Sequence, residues 1–177
     1  MREDELIERV LAGDTTAWAT LIADHQESVF RLAYLLLGDT AEAEDVAQEA
    51  ILKAGWALDR FDRTRPLRPW LLQITRNLAS NRRRSARRRL AALQRWWSST
   101  PAAVDPIAQV DAGAADLYQA VATLSSEDQE VIYLRYFLEL PVDETAQALG
   151  VAPGTVKSRL SRALQRLRPL LLDRTEA

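Results

Sequence analysis

The chain has 177 residues, enough for one ordinary domain or two small ones, and its 47% hydrophobic and 27% charged residues give a globular rather than a disordered composition. Cysteine is absent and His25 is the single histidine, which excludes disulfides, thiolate zinc sites and thiol catalysis and leaves no Ser-His pair and no His-rich metal cluster. The net charge of -2 conceals four blocks: -9 over residues 1–59, +11 over 60–95, -8 over 96–149 and +4 over 150–177.

In chain order, the N-terminal residues have no apolar core of a signal peptide, and the longest apolar stretch, Leu32 to Leu37, falls far short of the ~20 residues of a membrane helix. The expectation is a cytoplasmic protein with no membrane insertion. Trp18, Leu21 and Ile22, then Val29, Ala33 and Leu36, recur at helical spacing. Gly38 stands where a left-handed residue closes a helix, and Asp39 with Glu42 opens the next, over about 40–59. A loop, Phe61 to Arg68, is punctuated by Pro66 and Pro69 and leads into a long helix ending near Gln94. That helix is expected to bury Leu71, Ile74 and Leu78 and to turn Asn77, Asn81, Arg84 and Arg88 outward.

Residues 98–113 carry two prolines and little periodicity, and read as a linker between domains over 1–97 and 114–177. Further helices are expected near 114–123, 127–138, 142–149 and 153–171, with Ser126 and Gln129 as a capping-box pattern. The fold class is therefore all-α: two small helical domains, a bundle and a helix-turn-helix, joined by a flexible linker.

The strongest local signal is Val142 to Ser161. Ala146 allows a close helix crossing, Gly150 supplies the turn and Val156 enters the core, the spacing that two packed helices need. Val156, Leu160, Ala163 and Leu167 are expected inside. Thr155, Ser158, Arg159 and Arg162 share the outward face with Lys157 at its edge, a surface of donors without a carboxylate that suits a major groove. The alternative is an ordinary helical hairpin with a solvated basic face.

The basic block 60–95 combines 12 arginines with Asn77 and Asn81 on one face and with Phe61 and Trp70. Basic groups hold a nucleic-acid backbone, amides read base edges, and a rigid loop with pockets holds an unstacked base. Plain core packing is the competing role for Trp70. The 21 arginines against 2 lysines fit bidentate phosphate and base contacts, and a GC-rich genome would give the same bias. In the helix over 40–59, Glu42, Asp45 and Glu49 share a face with Gln48 beside them and with no partner within that helix. A docking face for a protein fits them better than a metal site, since no histidine joins the carboxylates.

These segments resemble the extracytoplasmic-function (ECF) group of bacterial sigma-70-type sigma factors over nearly the whole chain. Val29-Phe30-Arg31-Leu32-Ala33, Leu37-Gly38-Asp39, Ala41 to Glu49, Arg68-Pro69-Trp70-Leu71 and Ile74 to Ala79 look like sigma region 2. Leu124, Gln129-Glu130-Val131, Leu134 to Phe137 and Gly154 to Leu160 look like region 4. Pro141 stands where the family commonly caps the helix-turn-helix with Ser, Ala50-Ile51-Leu52 replaces the usual aromatic, and Trp96-Trp97 at the linker start has no assigned role.

The resemblance implies a transcription initiation factor without catalysis or cofactor. Its region 2 would dock on the β′ clamp helices of core RNA polymerase through Asp45, Gln48 and Glu49, with Glu42 nearby. The loop, with Phe61, Asp62, Arg63, Arg65 and Arg68, and Trp70 would recognise the -10 element and capture a flipped base. Arg76, Asn77, Asn81, Arg82, Arg83 and Arg84 would hold the strand and adjoining duplex. Region 4 would read the -35 element through Thr155, Lys157, Ser158, Arg159, Ser161 and Arg162, and would face the polymerase β flap. An anti-sigma partner is common in such a family. Two rival readings are a one-component repressor or activator using only the helix-turn-helix, and a metal-dependent nuclease using Glu42, Asp45 and Glu49.

Overall fold

The computed structural model describes residues 2–94 and 112–175, with side chains over 2–88 and 117–171. Most of the expected linker, and Trp96-Trp97, lie outside the described residues, while its last two residues, Ala112 and Gly113, open a helix. The chain divides into two compact units, residues 1–102 and 103–177. Among the described residues no β-strand occurs.

The first unit contains α1 (Glu3–Leu11), α2 (Thr15–Ala23), α3 (Gln26–Leu37), α4 (Thr40–Ala57), a 3-10 turn (Leu58–Arg60) and α5 (Leu67–Gln94). Capping residues set these boundaries. Asp14 accepts from Thr16 N at 2.9 Å and Ala17 N at 3.2 Å to start α2, and Asp39 accepts from Glu42 N at 2.7 Å to start α4. The Thr16 hydroxyl, followed by the Arg9 guanidinium, holds the Asp14 carboxyl below the ordinary carboxylate range. Gly38 closes α3 in the left-handed conformation at φ 73°, where a side chain would be strained. The apolar run expected from Trp18 to Leu36 is two helices, broken at Asp24 and His25.

α3 packs against both α4 and α5, and α1 against α2. Leu6, Ile7, Leu21, Val29, Leu58, Phe61, Leu67 and Leu71 share one core. α4 can approach α2 because Gly55 has no side chain: a Cβ there would lie 3.3 Å from the Trp18 ring. The buried row of α5 differs from the expected one. Leu71, Leu72, Thr75 and Ala79 are buried, whereas Ile74 and Leu78 are only partly so. Thr75 escapes an apolar count because its hydroxyl is satisfied inside the helix, donating to the Leu71 carbonyl at 2.8 Å.

The second unit contains α6 (Ala112–Ala122), α7 (Ser126–Ile132), a π-helical turn (Tyr133–Phe137), α8 (Val142–Leu149) and α9 (Pro153–Thr175). The expected helix over 127–138 is thus α7 plus a wider turn, closed by Leu138 N donating to the Tyr133 carbonyl at 2.9 Å. The cap of α7 is Ser125, which accepts from Asp128 N at 3.3 Å, and not Ser126. Gln129 is buried instead of closing a capping box: its amide donates to the Ala122 and Leu124 carbonyls at 2.8 and 3.0 Å. α6, α7 and α8 all pack on α9. The core includes Val131, Tyr133, Leu134, Leu140, Ala146, Leu149, Val156, Ala163 and Leu167.

Candidate nucleic-acid interface

In the second unit, α8 and α9 form the expected helix-turn-helix. Pro141 occupies the N-cap of α8 with no side-chain bond, and the Thr145 hydroxyl donates to the Pro141 carbonyl at 2.9 Å. Gly150 closes α8 at φ 66°. Ala146 is buried at the crossing, and Val156, Ala163 and Leu167 point inward from α9, with Leu160 half-buried beside them. Lys157, Ser158, Ser161 and Arg162 are exposed, and Thr155 and Arg159 are half-buried. Ser158 donates to the Thr155 carbonyl at 3.1 Å and Arg162 Nε to the Ser158 carbonyl at 3.2 Å, so both side chains lie along the helix they belong to.

The six proposed readers therefore fall into two sets. Arg159 pairs with Glu127 of α7 at 3.4 Å, with its side chain only 20% exposed. Arg166, two turns further along, pairs with Asp128, whose side chain is almost fully buried. These two arginines tie α9 to α7. Among the described residues Lys157 and Arg162 pair with no carboxylate.

In the first unit, Glu42, Asp45 and Gln48 are exposed and Glu49 half-buried on α4. The face is not without partners. Lys53, one turn along the same helix, pairs with Glu49 at 2.8 Å. Arg82 of α5 lies 3.8 Å from Asp45 and 4.0 Å from Glu49. The carboxylates gather around a guanidinium, an arrangement no sequence spacing could have revealed. Sequence reasoning also passed over Leu52 and Trp56, 55% and 78% exposed, which stand four and eight residues after Gln48 on the same helix. Extending that spacing would have found them.

The loop between the 3-10 turn and α5 is shaped from within. The Asp62 carboxylate accepts from the Thr64 hydroxyl at 2.6 Å and the Thr64 N–H at 3.1 Å. Arg65 N donates to the Asp62 carbonyl at 3.0 Å, and Arg65 Nε pairs with the Asp62 carboxylate at 3.2 Å. Thr64, first through its hydroxyl and then through its N–H, lowers the Asp62 carboxyl from its ordinary value. Phe61 is buried in the core, its ring centroid 4.9 Å from that of half-buried Trp70. Both aromatics thus hold the loop to its scaffold.

Arg63 and Arg65 are exposed, and Arg68 lies half-buried in the first turn of α5. Asn77, Asn81, Arg84 and Arg88 form the expected exposed row along α5, while Arg76, Arg82 and Arg83 are half-buried beside it. No group of three or more His, Asp or Glu side chains among the described residues is arranged to hold a metal ion.

The family model for Sigma-70 region 2 matches residues 21–89, and that for Sigma-70 region 4 matches residues 114–167. The chain is 38% identical over 166 residues to the ECF RNA polymerase sigma factor SigL of Mycobacterium tuberculosis, covering 92% of this chain and 93% of the relative. This chain belongs to the ECF sigma factors. The sigma factor is also 30% identical to SigW of Bacillus subtilis, over 94% of this chain and 95% of that one. Among solved structures it is similar to the sigma factor RpoE of Bartonella quintana in complex with the anti-sigma factor NepR, with TM-score 0.71, 28% identity and coverage of 86% and 95%. It is likewise similar to CnrH in complex with the cytosolic domain of CnrY, with TM-score 0.70, 27% identity and coverage of 94% of each chain.

An ECF sigma factor is a transcription initiation factor that works with core RNA polymerase on promoter DNA, and sigma factors as a family are non-catalytic. Every described helix except α1 overlaps one of the two matches. α2 in part, α3, α4 and most of α5 fall in region 2, and most of α6, α7, α8 and much of α9 in region 4. No described helix is long and apolar enough to cross a membrane.

Proposed function

We propose that this sigma factor splits its work between its two units, as a cytoplasmic, non-enzymatic specificity subunit of RNA polymerase. Residues 1–97 form the docking and -10 domain, 98–111 the linker and 112–177, from the start of α6, the -35 domain. Asp45, Gln48 and Glu49, with Glu42, dock on the β′ clamp helices. Leu52 and Trp56 continue that face with apolar area of the kind that anchors an interface. Arg63, Arg65 and Arg68 in and beside the loop meet the -10 element, with Phe61, Asp62 and Trp70 setting the loop's shape. Arg76, Asn77, Asn81, Arg82, Arg83 and Arg84 hold the opened strand. Lys157, Ser158, Ser161 and Arg162 meet the -35 major groove, with Thr155 and Arg159 on its phosphates, and the second unit also faces the β flap. The anti-sigma complexes among the similar solved structures support a dedicated anti-sigma partner for this chain as well.

The observation that carries this reading is the division of α9. One side is consumed by the core at Val156, Ala163 and Leu167, and the opposite side presents hydroxyl, ammonium and guanidinium donors with no carboxylate. The test is transcription in vitro from a randomised promoter library with core polymerase, with and without the chain. Promoter-specific transcripts that require the chain are expected. Tight duplex binding by the chain alone with no transcript would favour the repressor reading, and divalent-dependent cleavage of DNA the nuclease.

A further inference from the structure

We propose that α1 is a clasp on the loop over residues 61–66, with Glu3 and Glu8 acting as positioning residues for -10 selection. The inference rests on the reading that this loop meets the -10 element. α1 lies outside the region 2 match, which begins at residue 21, so the match gives it no role.

α1 reaches the loop at both ends and near its middle. Leu6 and Ile7 are buried in the same core as Leu58 and Phe61 on one side of the loop and Leu67 on the other. At the loop's end the Glu3 carboxylate accepts from Leu67 N at 3.3 Å. The first N–H groups of a helix have no partner within it, so Glu3 satisfies one of them from a distant segment and fixes where α5 begins. The second Glu3 oxygen lies 3.3 Å from Nε2 of His25, whose side chain is 13% exposed, and this contact fixes the direction of the carboxylate. Within the loop, the Arg63 guanidinium pairs with Glu8 at 3.6 Å. One helix thus sets the loop's exit and the heading of one of its exposed cations.

The Glu8 pair is exposed on both sides, and such pairs add little to stability. Its consequence lies in where Arg63 points when DNA arrives. Arg63 can turn from Glu8 toward a phosphate or a base edge, and the balance between those partners differs among -10 sequences.

The test is transcription by reconstituted holoenzyme on a randomised -10 library, alongside co-purification with core polymerase and thermal unfolding of each variant. Glu8→Ala is expected to change the relative use of -10 sequences by about two- to fivefold, the range of an exposed ion pair, with core binding and melting temperature unchanged. The same substitution in an Arg63→Ala background is expected to add no further change, because Glu8 acts through Arg63. Glu3→Ala is expected to shift the preference as well. Glu3→Gln is expected to restore it, since an amide oxygen still accepts the Leu67 N–H.

A loop exchanged for that of a related sigma factor serves as the reference. If the exchange alters -10 preference while Glu3→Ala and Glu8→Ala do not, α1 is only a structural helix and the inference is overturned. If losses are equal on every library member and follow a lower melting temperature, it is also overturned. If the loop exchange leaves preference unchanged, the -10 reading fails and the inference with it.

Discussion

The two units restrain their basic side chains differently. In the first, Arg63, Arg65 and Arg82 pair with Glu8, with Asp62, and with Asp45 and Glu49. In the second, the acidic partners Glu127 and Asp128 take Arg159 and Arg166, leaving Lys157 and Arg162 without an ion pair among the described residues. The alternation of charge along the chain is therefore resolved inside each unit, block against neighbouring block. On the proposed function, the first unit would come to DNA with its loop cations already engaged, and polymerase docking on Asp45 and Glu49 would compete with Arg82 for those carboxylates. The second unit would come with a helix whose exposed cations, Lys157 and Arg162, hold no ion pair among the described residues. The difference suits a loop that takes up opened DNA late and a helix that enters a duplex groove early.

The comparison breaks most completely if the second unit is unfolded. Val156 is fully buried, and Val156→Asp places an unpaired carboxylate in that core, at a cost on the order of 3–5 kcal/mol. Circular dichroism should show α6 to α9 lost and the first unit retained, with -35-dependent transcription abolished. Next in size is the docking face. Asp45→Ala, Gln48→Ala and Glu49→Ala together should weaken co-purification with core polymerase at least about tenfold, roughly 1.4 kcal/mol, with helicity intact. Leu52→Ala with Trp56→Ala should weaken it too. Retention of wild-type binding by the triple variant would place the docking face elsewhere.

Effects of comparable size separate readers from holders. Arg162→Ala should flatten discrimination at one -35 base pair by ~1–3 kcal/mol. Arg159→Ala should weaken all sequences alike and lower the salt slope by roughly one. Smallest is Glu127→Gln. It frees Arg159 for phosphate and should strengthen duplex binding by less than about 1 kcal/mol, with a steeper salt dependence. Titration of promoter binding at two salt concentrations measures both.

Much of this was legible in the sequence, for identifiable reasons. Asp39, Gly38, Pro141 and Gly150 sit at helix ends where local chemistry decides, and the boundaries of α8 follow from them directly. The exposed row Asn77, Asn81, Arg84 and Arg88 follows from helical period alone. What escaped depends on tertiary partners. Thr75 is buried because its hydroxyl finds a carbonyl one turn back, and Ser125 caps α7 because the chain turns one residue earlier than the Ser126 pattern suggests. Phe61 reads as a base-facing aromatic until the core of α1 and α5 closes around it. Arg82, Glu3 and Glu8 acquire their roles from segments more than 30 residues away, which no local pattern carries.

The central claim is that the loop over 61–66 and the exposed face of α9 read separate promoter elements. It is tested most directly by holoenzyme transcription on complete single-base libraries of both elements, comparing a loop-exchanged variant with one carrying Lys157→Ala, Ser158→Ala and Arg162→Ala. The account predicts that the loop exchange changes preference only in the -10 element and that the α9 substitutions change it only in the -35 element. Unaltered -35 preference in the α9 variant, or a -35 change caused by the loop exchange, would contradict it.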